Sequence, residues 1–152
     1  MSIWGGTTVL RHPPELVWAF LTDETNDASW RAPWVIAVRK LTDGPLAVGT
    51  RHETVYRFFG QLQAVVVEIT EVDPPGRMAW RQDPTDTVAF NAGAYDLEPV
   101  DGGTRFTVTG SFQSRGWRRL IDPGFAWYLR NGPVQRQHAQ LAAALDAREP
   151  GG

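Results

Sequence analysis

Uncharged polar or aromatic side chains occupy every second position of one predicted strand, residues 50–59. One face of this strand carries His52, Thr54, Tyr56 and Phe58, because successive side chains of a strand point to opposite sides. The other face carries three charged side chains, so the first face is predicted to point inward. Imidazole and phenol groups can donate and accept protons or hydrogen bonds in an apolar site. His52 and Tyr56 would lie roughly 13 Å apart along the strand, so they could address two ends of one ligand.

A second pair of polar groups occupies another predicted strand, residues 87–97. Asn91 and Tyr95 share one of its faces, and Trp80 and Gln82 share a face of the strand at 77–82. The candidate catalytic residues are therefore His52, Tyr56, Asn91 and Tyr95. The alternative is that His52 lies at a wet rim of the sheet and that Tyr56 is a core ring.

Three other polar residues have two interpretations each. His138, on the last predicted helix, could be a base in a cavity or a structural residue on an apolar face. Arg57 and Arg81 could anchor an acidic group of a ligand, or they could be exposed charges on the convex side of the sheet.

Aromatic residues are abundant, with seven Trp, three Tyr and seven Phe. Such rings favour places that are partly apolar and partly wet, as the wall of a binding cavity is. Filling the core of a small domain is the alternative role. The candidate ligand-binding residues are Trp30, Trp34, Phe58, Trp80, Phe112, Trp117, Trp127 and His138.

Composition excludes several classes of chemistry. The 152 residues contain no cysteine, which removes disulfides, thiolate metal sites and cysteine nucleophiles, and the three histidines are too scattered to define a metal site. No phosphate-binding loop or dinucleotide-binding fingerprint is present. We therefore expect neither a metal nor a cofactor.

Charge and length set further expectations. The net charge of −2 and the scattered arginines argue against a nucleic-acid partner. The chain has no apolar run of membrane-spanning length and no signal-peptide pattern at its start, so we expect a cytoplasmic protein without a membrane span. Its length suits a single domain over residues 1–148 with a disordered tail at 149–152. The oligomeric state is left open between monomer and homodimer.

The predicted elements define an α+β fold. A strand at 3–10 precedes a short amphipathic helix at about 13–22, and a further helical turn ends near Trp30 before Pro33. Six strands follow, at 34–41, 50–59, 62–72, 77–82, 87–97 and 104–112, joined by short turns and therefore mainly antiparallel.

A long C-terminal helix is predicted from an N-cap at Asp122. Pro133 should kink this helix or restart it with Asn131 as a cap. One stripe of the helix is predicted to face the sheet, namely Leu120, Gly124, Trp127, Asn131, Val134, His138, Leu141 and Leu145. The aromatic segment 111–127 is predicted to be a lid, or alternatively a loop packed on the sheet edge.

A series of short motifs follows one order along nearly the whole chain. They are PELVWAFLTD at 14–23, Trp30, LAVGT at 46–50, EITEVDPP at 68–75, RMAW at 77–80, YDLEP at 95–99, GTRFT at 103–107, and the final helix. In this order they resemble the START-like, or SRPBCC, superfamily, specifically its bacterial polyketide cyclase/dehydrase and lipid-transport branch. The motifs are turns, caps and core positions, so the resemblance concerns the fold more than the chemistry.

The resemblance implies a helix-grip fold, in which a curved antiparallel sheet of about seven strands wraps around the C-terminal helix. It also implies a deep cavity for apolar or aromatic small molecules. The leading hypothesis is an enzyme of the cyclase/aromatase type, a lyase or isomerase that cyclises or dehydrates a polyketide-like ligand by acid-base catalysis without a cofactor. The alternatives are a non-catalytic carrier, sensor or sequestering protein, and an interaction module whose tryptophans meet another protein.

Overall fold

Seven antiparallel strands form one sheet in the computed structural model, which describes residues 1–148. Their spatial order is β1-β7-β6-β5-β4-β3-β2. Consecutive strands from β2 to β7 are therefore adjacent in the sheet, while β1 pairs with β7 and forms the edge opposite β2. The strands are β1 Ser2–Leu10, β2 Val35–Lys40, β3 Arg51–Phe58, β4 Gln61–Asp73, β5 Arg77–Gln82, β6 Val88–Val100 and β7 Gly103–Ser114.

Helices occupy two parts of the chain. The chain crosses from β1 to β2, which are the two edge strands of the sheet, through three short elements. They are α1 Pro14–Leu21, a 3-10 turn Glu24–Asn26 and α2 Asp27–Trp30. After β7 come a 3-10 turn Gly116–Leu120, α3 Asp122–Asn131 and α4 Pro133–Arg148. No helix within residues 1–148 is both long enough and apolar enough to cross a membrane.

The hydrophobic core lies between the sheet and helices α1 and α4. Leu141 and Leu145 of α4 are completely buried and belong to one cluster with Val17 of α1 and Phe106 of β7. Truncating either leucine to alanine would cost about 2–5 kcal/mol of stability. The predicted α+β class, with a sheet wrapped around the C-terminal helical region, is confirmed.

The C-terminal helix is two helices, and its predicted apolar stripe is correct only in the second. Val134, His138, Leu141 and Leu145 are buried, whereas Leu120, Gly124, Trp127 and Asn131 are exposed. Gly132 ends α3, and α4 starts directly afterwards at Pro133. The break interrupts the helical phase, so a stripe extended across it selects the wrong face of α3, where Ala126 and Leu129 are buried instead.

Two predicted helix caps are also wrong. Asp122 is the first residue of α3 instead of its N-cap, and its carboxylate accepts hydrogen bonds from the backbone N–H and the hydroxyl of Ser114, at 2.7 and 2.6 Å. The side chain of Asn131 donates to the carbonyl of Trp127 at 2.8 Å, so it closes α3 and does not cap α4. The partner of Asp122 lies on β7, so tertiary structure decides the role of this carboxylate. The partner of Asn131 lies one turn earlier in α3, so this side chain bonds within the helix that it ends.

Most of the segment 111–127, predicted to be a lid or a loop, belongs to a strand and a helix. β7 continues to Ser114, and α3 begins at Asp122, so the connection between them spans only 115–121. Pairing with β6, where Val88 lies opposite Ser114, carries β7 past its predicted end at Phe112. The expected disorder of 149–152 lies outside the described residues.

Candidate ligand-binding cavity

Two adjacent chambers lie between the sheet and the helices. The large chamber has a volume of about 190 Å³, and its walls include Trp4, Phe58, Asn91, Phe112, Phe125 and Leu129. The small chamber has a volume of about 50 Å³, and its walls include Leu21, Asp27, His52, Thr54, Ile69 and Tyr95. Arg31, Tyr56 and Trp80 belong to the walls of both. Polar and apolar groups therefore converge where the chambers meet.

A row of two tryptophans and two glycines crosses four strands beneath the large chamber. Trp4 of β1 pairs with Gly110 of β7, Gly110 pairs with Gly93 of β6, and Gly93 pairs with Trp80 of β5. A Cβ added at Gly110 would lie 2.2 Å from the Trp4 ring, and one at Gly93 would lie 2.4 Å from the Trp80 ring. Both indoles thus lie over backbone that has no side chain, which a strand-interior glycine allows.

The large chamber carries neutral hydrogen-bonding groups among its rings. The side-chain amide of Asn91 donates to the amide oxygen of Gln82 at 3.0 Å, and Gln82 is buried. Phe112 and Phe125 meet edge to face, with their ring centroids 5.9 Å apart. The chamber is therefore an aromatic site with amide groups available to a ligand's oxygen or hydroxyl atoms.

His52 of β3 and Tyr95 of β6 both line the small chamber. Burial lowers the pKa of His52, while the charge of Glu24 opposes this shift. Tyr95 is 7% exposed, and its ring centroid lies 4.9 Å from that of Trp80 and 5.3 Å from that of Phe106. Burial also raises the pKa of the Tyr95 phenol above its ordinary value. Both shifts favour the neutral form of these side chains.

A largely buried cation lies at the boundary between the chambers. The guanidinium of Arg31 donates to the hydroxyl of Tyr56 at 3.2 Å and lies 3.7 Å from a carboxylate oxygen of Asp27. It stands 5.9 Å from the ring centroid of Trp30 and 5.7 Å from that of Tyr56, within the range of cation–π attraction. Burial raises the pKa of Asp27 to about 6, although Arg31 opposes this shift.

Gln140 of α4 fixes the backbone that carries Arg31. Its side-chain amide donates to the carbonyls of Trp30 and Ala32, at 2.7 and 2.8 Å. These carbonyls belong to the two residues that flank Arg31. A glutamine on α4, 110 residues from Trp30, thereby holds the cation at the cavity wall.

Most of the sequence-predicted site residues line a chamber. His52 and Tyr95 line the small one, Tyr56 and Trp80 line both, and the large one is lined by Trp34, Phe58, Asn91 and Phe112. The structure therefore brings the candidate catalytic residues to one cavity, but on different walls of it.

Four predicted ligand-binding residues lie elsewhere. Trp30 is buried in the core, with its ring against Tyr95, and Trp117 and Trp127 are 66% and 61% exposed. His138 is 7% exposed, its Nε2 has no hydrogen-bond partner within the described residues, and burial lowers its pKa to about 4. Its ring packs edge to face on Phe106, as expected of a structural histidine.

Arg31 and Asp27 are not among the site residues predicted from the sequence. The predicted anchors for an acidic group, Arg57 and Arg81, are both exposed. A signal was available, because Asp27 and Arg31 are spaced i, i+4 on a predicted helical turn, next to Trp30. What could not be predicted is that this turn faces a cavity, since its packing against α4 and β2 determines its position.

The fold and the cavity define the class of protein. A seven-stranded antiparallel sheet around a C-terminal helical region, with short helices after the first strand, is the helix-grip architecture of the START-like superfamily. The chain also matches the family model described as "Polyketide cyclase / dehydrase and lipid transport" over residues 6–146. The protein therefore belongs to that family, whose members bind apolar small molecules.

Solved structures show the same fold at low sequence identity. The Zhui aromatase/cyclase from Streptomyces sp. R1128 superimposes with a TM-score of 0.74 at 21% identity, over 99% of this chain and 98% of that one. TTHA0849 from Thermus thermophilus gives 0.81 at 17% identity, over 97% and 99%. CV1439 from Chromobacterium violaceum gives 0.74 at 21%, over 99% of both chains. No curated protein matches the chain by sequence.

Proposed function

We propose that this protein binds a polyketide-like or other aromatic small molecule in the two chambers and promotes its cyclisation or dehydration without a cofactor. The observation that supports this proposal best is the convergence of Arg31 and Tyr56 at the boundary between two chambers that both have aromatic side chains in their walls. The family match and the likeness to an aromatase/cyclase agree with it.

Cyclisation of a poly-β-ketone joins an enol or enolate carbon to a ketone carbonyl carbon. The carbonyl oxygen takes up a proton as the enol loses one, and the new hydroxyl later leaves as water with a hydrogen of the neighbouring carbon, which forms the C=C bond of the unsaturated ring. An enclosed aromatic cavity favours the folded chain by holding the two carbons close together. A hydrogen-bond donor fixed near the carbonyl oxygen stabilises the negative charge that develops there.

Tyr56 is the residue best placed to donate that proton. Its oxygen accepts a hydrogen bond from Arg31, so its own O–H is free to point into either chamber. Asn91 would then hold a second ligand oxygen in the large chamber, and His52 would accept or relay a proton in the small one. Tyr95 packs tightly within the aromatic core, so we assign it a role in shaping the wall.

The test is incubation with a synthetic oligo-β-ketone and chromatographic comparison with its spontaneous products. We expect wild-type protein to change the distribution of cyclised products. Tyr56→Phe should bind the compound but lower the rate by roughly 100-fold or more, as expected for loss of a general acid. Tyr128→Phe is the matched control, because Tyr128 stacks on Phe125 from outside the chamber walls.

A non-catalytic carrier is the second candidate. It is favoured by the large chamber, where four of the polar groups away from the boundary with the small chamber are amides that do not exchange protons near pH 7, namely Gln63, Gln82, Asn91 and Gln137. If the products match the spontaneous mixture and Tyr56→Phe changes only affinity, the protein is a carrier or sensor.

A further inference from the structure

The guanidinium of Arg31 has more donors than the protein uses. Arginine carries five N–H donors. Within the described residues, the Arg31 side chain makes one hydrogen bond, to the hydroxyl of Tyr56. The carboxylate of Asp27 is 3.7 Å away, which is an ion-pair distance but too long for a hydrogen bond. The side chain is 17% exposed and borders both chambers. Its remaining donors are thus open to a ligand.

An anion suits these donors better than a neutral carbonyl does. A planar guanidinium can bind both oxygens of a carboxylate at once. The surroundings strengthen the preference, because a charge near aromatic walls is poorly screened and is stabilised by an opposite charge. Trp80 and Tyr95 supply these walls on one side, and Trp34 and Phe58 supply them on the other.

Asp27 competes with such a ligand for the same cation. A ligand carboxylate at Arg31 would bring two negative groups close together in a partly buried site, which favours protonation of one of them. Burial already raises the pKa of Asp27 to about 6, so it is the group that accepts a proton most readily.

We propose that Arg31 is the binding site for the carboxylate of an aromatic acid, and that Asp27 takes up a proton when this ligand binds. The proposal rests on the proposed function only in requiring that aromatic molecules enter the cavity. It goes beyond that function by specifying an acidic ligand and a proton that binds together with it.

Other charged or titratable groups lie near Asp27 on several elements. Asp23 and Glu24 precede α2, while His52 and Tyr56 of β3 and Tyr95 of β6 line the small chamber together with Asp27. Arg148 of α4 donates to Asn26, the residue before Asp27, and the charge of Lys40 on β2 acts on His52. A hydrogen bond from Thr25 lowers the pKa of Asp23, burial lowers that of His52, and burial raises that of Tyr95. These three shifts move the groups away from pH 6.5–8, the range in which the uptake by Asp27 would be measured.

The first experiment compares two probes of one shape, 2-naphthoate and 2-naphthamide, by titration calorimetry at pH 7.5. We expect naphthoate to bind at least tenfold more tightly than naphthamide. Arg31→Gln should abolish the preference, Arg31→Lys should keep part of it, and the exposed Arg119→Gln should leave it unchanged. Equal affinities of the two probes, or a preference that survives Arg31→Gln, would overturn this proposal alone. Binding of neither probe would overturn the proposed function as well.

The second experiment tests the proton and does not depend on the Arg31 variants being folded. For uptake of one proton, the dissociation constant of naphthoate should rise by up to about tenfold per pH unit between pH 6.5 and 8. Asp27→Asn should bind naphthoate more tightly at pH 7.5 and should remove this slope, whereas naphthamide binding should be independent of pH in both proteins. An unchanged slope in Asp27→Asn would refute the role of Asp27.

Discussion

Replacing His138 should make the protein less sensitive to acid. The histidine is 7% exposed, and its Nε2 has no partner within the described residues. A positive charge on this ring would therefore be neither solvated nor paired, which is why burial lowers its pKa to about 4. Leucine has a similar size and no titrating group, while phenylalanine would retain the aromatic contact with Phe106.

The size of the effect follows from the two pKa values of His138. The folded value of about 4 lies below the ordinary value of 6.5, so the unfolded chain binds the proton first as the pH falls. The histidine therefore lowers the free energy of unfolding progressively below pH 6.5 and has little effect above it. Between pH 7 and pH 5 the loss is about 2 kcal/mol.

Urea denaturation of wild-type protein, His138→Leu and His138→Phe at pH 7 and pH 5 measures this effect. Other titrating groups contribute equally to all three proteins, so they cancel when each variant is compared with wild type at each pH. For each variant, the free energy of unfolding minus that of wild type should be about 2 kcal/mol larger at pH 5 than at pH 7. A variant-minus-wild-type difference that is the same at both pH values would refute the reasoning.

Three further substitutions test the site. Asp27→Asn should have the opposite pH effect. Because the pKa of Asp27 is raised to about 6 in the folded protein, the folded state binds a proton first as the pH falls, which stabilises it. In urea titrations, the free energy of unfolding of this variant minus that of wild type should fall by about 1 kcal/mol between pH 7 and pH 5. Gln140→Glu replaces the donor that holds both carbonyls beside Arg31 with an acceptor, so it should lower the free energy of unfolding by about 2 kcal/mol. Gly110→Ala should displace the Trp4 ring, because its Cβ would lie 2.2 Å away; we expect a loss of about 1–3 kcal/mol and an altered near-UV circular dichroism spectrum.

Two controls match these variants. Gln135→Glu makes the same change as Gln140→Glu at an exposed position of α4, so it should be nearly neutral. Gly124→Ala places a methyl group in open space on α3 and should stabilise the fold slightly. A loss in either control as large as in its partner would show that the substitution type, and not the contact, causes the effect.

Local patterns in the sequence were sufficient for the fold class. Alternation along residues 50–59 places His52, Tyr56 and Phe58 on the face that lines the chambers, because the period of a strand is independent of its partners. The helical period located the buried face of α4 for the same reason. The order of motifs predicted the superfamily, since turns and caps encode the connections of a fold.

The cavity and its cation were decided by tertiary structure. The row from Trp4 through Gly110 and Gly93 to Trp80 exists only in the register of four strands, and strand register is a long-range property. The break at Gly132 interrupts the helical phase and turns Trp127 to solvent. The local sequence around Arg31 does not distinguish this arginine from an ordinary exposed one. It borders a cavity because Gln140, more than a hundred residues later, holds the neighbouring backbone there. Short-range periodicity thus determined which faces are apolar, whereas long-range packing determined where space remains between them.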